Sequence, residues 1–294
     1  MRTHIPVWPW LVVALALGAP AALAGAAGGA QADAQNLYRV LVVSGTLMMT
    51  VGLGSALLWR WWAEVTLRWF WAGAGIWTLG VLLKFAAAFA LNRIVLRGLQ
   101  TSFPQPVYWA LGALYLGLLT GVFEVGVTLL VARTWPRMAQ TEERAVAVGL
   151  GAGGLEALML GLSALASAMV IQSGVAGAAQ AGAGLAAVAH TPLPWLVGPT
   201  ERVMALLCHT ASRSLVLMGV AVGRWSFFWY GFLLLTGLDA VAAAFHLSGA
   251  LTRMNMWWVE LGVLPFAAVS LLAVRWCLRN WSGAGEGAWF LDAG

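Results

Sequence analysis

Long apolar runs separated by short polar connections set the pattern of this chain, and in four successive runs an ionisable residue well inside the run breaks the pattern: Glu124, Glu156, His209 and Asp239. Seven runs approach or exceed the ~20 residues that an α-helix needs to cross a bilayer, and only helices or closed barrels satisfy their backbone there. The spans are predicted near residues 39–59, 69–91, 107–132, 145–170, 201–222, 226–248 and 256–275. A charged side chain at bilayer depth costs at least about 3 kcal/mol, so the four ionisable residues are expected to face the bundle interior. Lys84 and Arg213 also fall within spans and are the cations available to them.

An earlier apolar stretch, 6–24, follows Arg2 and His4 and ends in Ala-Leu-Ala-Gly. It reads either as a signal peptide, residues 1–24, or as an eighth, uncleaved span. The fold class is therefore all-α, a polytopic transmembrane bundle over 38–280 with a C-terminal tail at 281–294. The connection 172–194, rich in Ala, Gly and Gln, lacks the large apolar side chains of a packed element and reads as a loose outer loop.

Composition agrees: 61% of residues are hydrophobic and 9% are charged, more apolar than a soluble domain of 294 residues could hide. The net charge of +5 is not a nucleic-acid signature, because the arginines are scattered between spans rather than gathered on one face. They report topology instead. With the first stretch entering from the cytoplasm, Arg2, Arg60, Arg68, Arg133, Arg137, Arg144, Arg224, Arg275 and Arg279 lie inside, and Arg39, Arg93, Arg97, Arg202 and Arg253 outside. Most of the 18 tryptophans, Trp59, Trp69, Trp135, Trp225, Trp258 and Trp276 among them, sit near span ends as interfacial anchors. Cys208 and Cys277 form no metal-binding spacing and read as packing residues.

Small residues indicate which helices approach closely. Gly117 and Gly121 precede Glu124, and Gly149, Gly153, Ala157 and Gly161 recur at every fourth position beside Glu156. Each polar residue has two readings. Glu124 and Glu156 are either catalytic carboxylates or halves of buried pairs with Lys84 or Arg213. His209 is either a site residue or an imidazole satisfying a backbone carbonyl, and Asp239 either a site residue or half of a helix–helix hydrogen bond. Glu201 and Arg202 read foremost as an outer helix cap after Pro199, and Glu260 and His246 as interfacial residues. At 1.5 Å per residue Glu124 lies in the inner half of its span and His209 in the outer half of its own, which works against contact.

Three strings, YLGLLTGVFEVG at 115–126, GLGAGGLEAL at 149–158 and ERVMALLCH at 201–209, occur in the order and spacing of one family. The chain resembles the YhfC family, which is grouped with the type II CAAX prenyl endopeptidases, the PrsW proteases and the scaffold subunit of gamma-secretase. The resemblance implies an intramembrane endopeptidase whose catalytic positions here are Glu124, Glu156, His209 and Asp239, supported by Glu201, Arg202, Lys84 and Arg213. The family motifs carry a second Glu where this chain has Val125, an Arg at Thr128, a His at Ala152 and another His at Leu235. Those four substitutions remove neighbours that would hold water and tune the carboxylates.

The expectation is thus a multi-pass protein of the cell membrane, a catalytically impaired relative or pseudoenzyme acting as a scaffold or binding protein. An active glutamate-dependent peptidase cleaving membrane or prenylated substrates is the alternative, and a small transporter the third reading. No cofactor is expected: zinc is the weaker alternative, because a hydrolytic zinc site wants about three protein ligands. The expected partners are the lipid bilayer and a membrane protein or peptide, with no nucleic acid.

Overall fold

A computed structural model describes residues 30–173 and 191–281. The expected signal peptide at 1–24, the tail from 282 and most of the loop 172–194 lie outside the described residues. Among those described there is no strand, and seven helical segments are long and apolar enough to cross a membrane. They are α1 (Ala30–Ala63), α2 (Arg68–Ser102), a broken third span, α5 (Glu142–Gln172), α6 (Pro194–Val222), α7 (Trp225–Leu247) and α8 (Trp257–Asn280). The third span runs through α3 (Gln105–Thr120), a single π-helical turn (Gly121–Val125) and α4 (Gly126–Thr134). All seven predicted spans are present.

The distribution of polar residues sets the arrangement. Helix α6 buries Arg202, His209, Thr210, Ser212, Arg213 and Ser214, and a helix with that content is stable in a bilayer only when other helices surround it. It packs against α1, α5, α7 and α8. Helix α2 is the opposite case: Leu82, Phe85, Phe89 and Ile94 are exposed on a lipid-facing surface. Hydroxyls on α6 fold back onto their own helix, Thr210 donating to the Leu206 carbonyl at 2.7 Å and Ser212 to that of His209 at 3.1 Å.

One boundary and one class of residue differ from the sequence expectation. Helix α6 begins at Pro194, seven residues before the predicted 201, and Pro199 lies inside it rather than before it. Pro194 stands at the first helical position, where its missing N–H costs no hydrogen bond, and Pro199, at the sixth, leaves the Trp195 carbonyl without its helical donor. Glu201 and Arg202 are consequently two turns into the helix and are not its cap. The tryptophans also divide. Trp61, Trp225, Trp258 and Trp276 are exposed as an interfacial belt requires, but Trp59 and Trp69 are buried. Trp59 Nε1 donates to the Glu143 carbonyl at 3.1 Å, and Trp69 lies beneath the guanidinium groups of Arg68 and Arg144. The two cysteines are buried and unpaired, as packing residues, with Ser270 Oγ donating to Cys208 Sγ at 3.2 Å.

Candidate functional site

Three close helix approaches build the site, and each lies about one turn before an interacting pair. On α2, a Cβ placed on Gly80 would stand 3.0 Å from the Glu124 Cα, so the absent side chain lets α2 reach the π turn. One turn on, Lys84 Nζ meets Glu124 Oε1 at 2.6 Å. On α5, a Cβ on Gly153 would press on Leu206 and His209 of α6, and three residues later Glu156 Oε2 lies 2.6 Å from His209 Nε2. On α3, Gly117 seats against the α7 backbone at Thr236 and Ala240, and three residues later Thr120 Oγ1 donates to Asp239 Oδ2. The residue spacing of three or four is that of one helix face.

These contacts join into a single network. Glu124, 2% exposed, is held by Lys84 on one oxygen and by Arg213 Nη2 at 3.1 Å on the other. Lys84 Nζ also lies 3.8 Å from Asp239 Oδ2 and donates to Thr120 Oγ1 at 3.3 Å. Glu156 is held by His209 on one oxygen and by Arg202 Nη1 at 2.5 Å on the other, and Arg202 in turn meets Glu201 Oε1 at 2.6 Å. The two halves approach each other at His209, whose Nδ1 is 4.0 Å from Glu124 Oε2 and has no hydrogen-bond partner. Five spans contribute: α2, the broken third span, α5, α6 and α7.

All four singled-out residues therefore converge, as do all four supporting residues. The depth argument against contact between Glu124 and His209 fails because α6 starts early. From Pro194, His209 lies near the middle of its helix rather than in its outer half. For Glu124 the pairing reading holds with both cations, and for Asp239 so does the helix–helix hydrogen bond. Glu156 pairs with Arg202 and His209 instead of Lys84 or Arg213, and His209 meets a carboxylate rather than a backbone carbonyl. Arg202 is 5% exposed and reaches inward, so its reading as an outer cap is corrected. Glu260 is also corrected: at 6% exposure it is buried in the first turn of α8, where the helix dipole favours a carboxylate, while His246 is exposed as expected.

The four substituted positions are packed and fully buried. Val125 and Leu235 belong to one apolar cluster at 1% and 0% exposure, and Ala152 and Thr128 are each 0% exposed. Thr128 Oγ1 donates to the Glu124 carbonyl at 2.8 Å, satisfying a backbone acceptor where the π turn disturbs the helical ladder. Sequence reasoning missed this π turn, which aims Glu124 at both cations, and it missed Thr120. The only available signal was Thr120-Gly121 one turn ahead of an acidic residue.

The family model for YhfC intramembrane metalloproteases matches residues 47–263. The chain belongs to this family. No curated protein and no solved structure matches it. The family's description implies a metal, so the donors must be weighed against one. Both oxygens of Glu124 and both of Glu156 face Lys, Arg or His nitrogen, and among the described residues no three His, Cys, Asp or Glu side chains are grouped as ligands. A cation within 3.1 Å of a carboxylate oxygen occupies the direction a metal would need and repels it. As arranged, the residues do not fit zinc.

Proposed function

We propose that this YhfC member is a catalytically impaired membrane protein whose polar core is an ion-paired clasp between helices, and that it works as a scaffold or binding protein within the bilayer. One observation carries the reading: every carboxylate oxygen of Glu124 and Glu156 is engaged by a basic side chain. Peptide hydrolysis needs a base with a free lone pair directed at water, a donor for the oxyanion and a proton for the leaving amine. Here each of the four oxygens is tied to a basic group on another helix, which holds the helices together, and a carboxylate beside a positive charge is a weaker base. The packing of Val125, Thr128, Ala152 and Leu235 supports the same conclusion, since a buried water requires two to four polar partners. No zinc is assigned to the site.

A second reading has its own support. Glu156 and His209 form a close acid–imidazole dyad, His209 Nδ1 is unpartnered, and Arg202 stands beside them as a donor for a developing oxyanion. This is the geometry that a metal-independent peptidase would keep. The two readings separate on a direct assay of the full chain, reconstituted in vesicles with a panel of transmembrane and prenylated peptides and followed by mass spectrometry. A silent parent protein is expected. Cleavage by the parent that disappears in both Glu156→Gln and His209→Ala would establish the peptidase and end the scaffold reading.

A further inference from the structure

Residues of α7 and α8, with Leu215 of α6, line a groove of about 930 Å³ that includes none of the ion-network residues. Its walls are apolar, and Leu233, Val269 and Leu272 are exposed along it, so it opens sideways to the hydrocarbon. Pro265 marks its deep end, where it interrupts the hydrogen-bond ladder of α8. Arg275 and Arg279, one helical turn apart, mark the other end, beside the tilted ring pair Phe227 and Trp276 with centroids 5.5 Å apart. At 1.5 Å per residue the wall from Pro265 to Arg279 rises about 21 Å, more than one leaflet of a ~30 Å core and less than the whole of it.

That profile has the chemistry of a single phospholipid: an acyl-length apolar trough, an aromatic collar, and two guanidinium groups at headgroup depth. Among the described residues neither Arg275 nor Arg279 meets a carboxylate. Among the described residues the same end of the bundle carries Arg60, Arg68, Arg133, Arg137, Arg144 and Arg224 as well, against Glu64, Glu142 and Glu143. Charge complementarity therefore selects an anionic headgroup over a zwitterionic one, because guanidinium pairs with phosphate oxygens in a two-pronged geometry and each basic residue adds attraction to an anionic leaflet. The geometry points to a binding site for an anionic phospholipid in the α7–α8 groove, its headgroup on Arg275 and Arg279 and an acyl chain against Leu233, Phe266, Val269 and Leu272.

The test uses the full-length protein in nanodiscs containing equal phosphatidylcholine and phosphatidylglycerol, released into the gas phase for native mass spectrometry of retained lipid. Preferential retention of phosphatidylglycerol is expected. The Arg275→Gln, Arg279→Gln double variant should lose that preference by about ten-fold or more, and Leu272→Trp, which fills the trough from an exposed position, should reduce retention of either lipid. Unchanged thermal melting of both variants excludes misfolding as the cause. Unaltered headgroup preference in the double variant would overturn the site. So would retention that appears only after residues 282–294 are removed, which would make the tail the occupant. A Leu272→Trp variant that changes oligomeric state and leaves lipid retention intact would assign the groove to a second copy and equally overturn it.

Discussion

Arg213 shows what a buried charge does in this protein. Its side chain is 1% exposed, it holds Glu124 at 3.1 Å, and its other arm donates to Ser212 Oγ at 3.0 Å. Removing one partner of such a pair leaves the other charge uncompensated in a low dielectric, so Arg213→Met should lower the unfolding free energy by about 3–5 kcal/mol. Equilibrium unfolding in mixed micelles measures it. Thr120 makes a smaller and separable contribution. Thr120→Val keeps the shape but leaves Asp239 without its hydroxyl donor, and a loss of about 1–2 kcal/mol is expected in the same assay, with Lys84 still near the carboxylate. That these residues meet in the core was legible in the sequence, because an ionisable group in an apolar span is expected to face the bundle interior. Their pairing was not, since Glu156 had several cations in reach and the choice of Arg202 depended on where α6 begins.

At the level of helices, the site depends on small residues that bring backbones together before the charges meet. Gly117 seats against α7 so tightly that an added Cβ would lie 2.9 Å from the Ala240 Cβ, with the Thr236 carbonyl closer still. Gly117→Ala should therefore cost about 1–3 kcal/mol by overpacking and weaken the Thr120–Asp239 link. Gly75 on α2 is the control. A Cβ there meets nothing within 4 Å, so Gly75→Ala should be neutral or stabilising by up to about 1 kcal/mol through helix propensity. Comparing the two melting temperatures decides whether close approach or glycine content is what counts. The glycine stripe on α5 was readable from its four-residue period and does pack as expected, Gly149 and Gly153 on α6 and Gly161 on α1. The π turn at 121–125 was not readable, because nothing in a run of apolar residues announces a shift from four- to five-residue hydrogen bonding.

Across the whole molecule, seven spans were recoverable because apolar runs of this length have no other stable use, and the family because three motif strings survive in order. The excess of arginine on the face that holds Arg60, Arg137 and Arg279 predicts that this face is cytoplasmic. A single cysteine introduced at Arg137 should be shielded from an impermeant thiol reagent in intact cells, and one at Arg253 should react. The proposed clasp requires that the network of acids and bases couple the five spans that contribute to it, and a double-mutant cycle between its two most buried members tests that most directly. Glu124→Gln, Arg213→Gln and the pair are each unfolded at equilibrium in the same bilayer-mimetic medium. If the two side chains form one clasp, the double variant should be more stable than the sum of the single losses implies, by at least about 1 kcal/mol. Additive losses, with no coupling between the two positions, would contradict it.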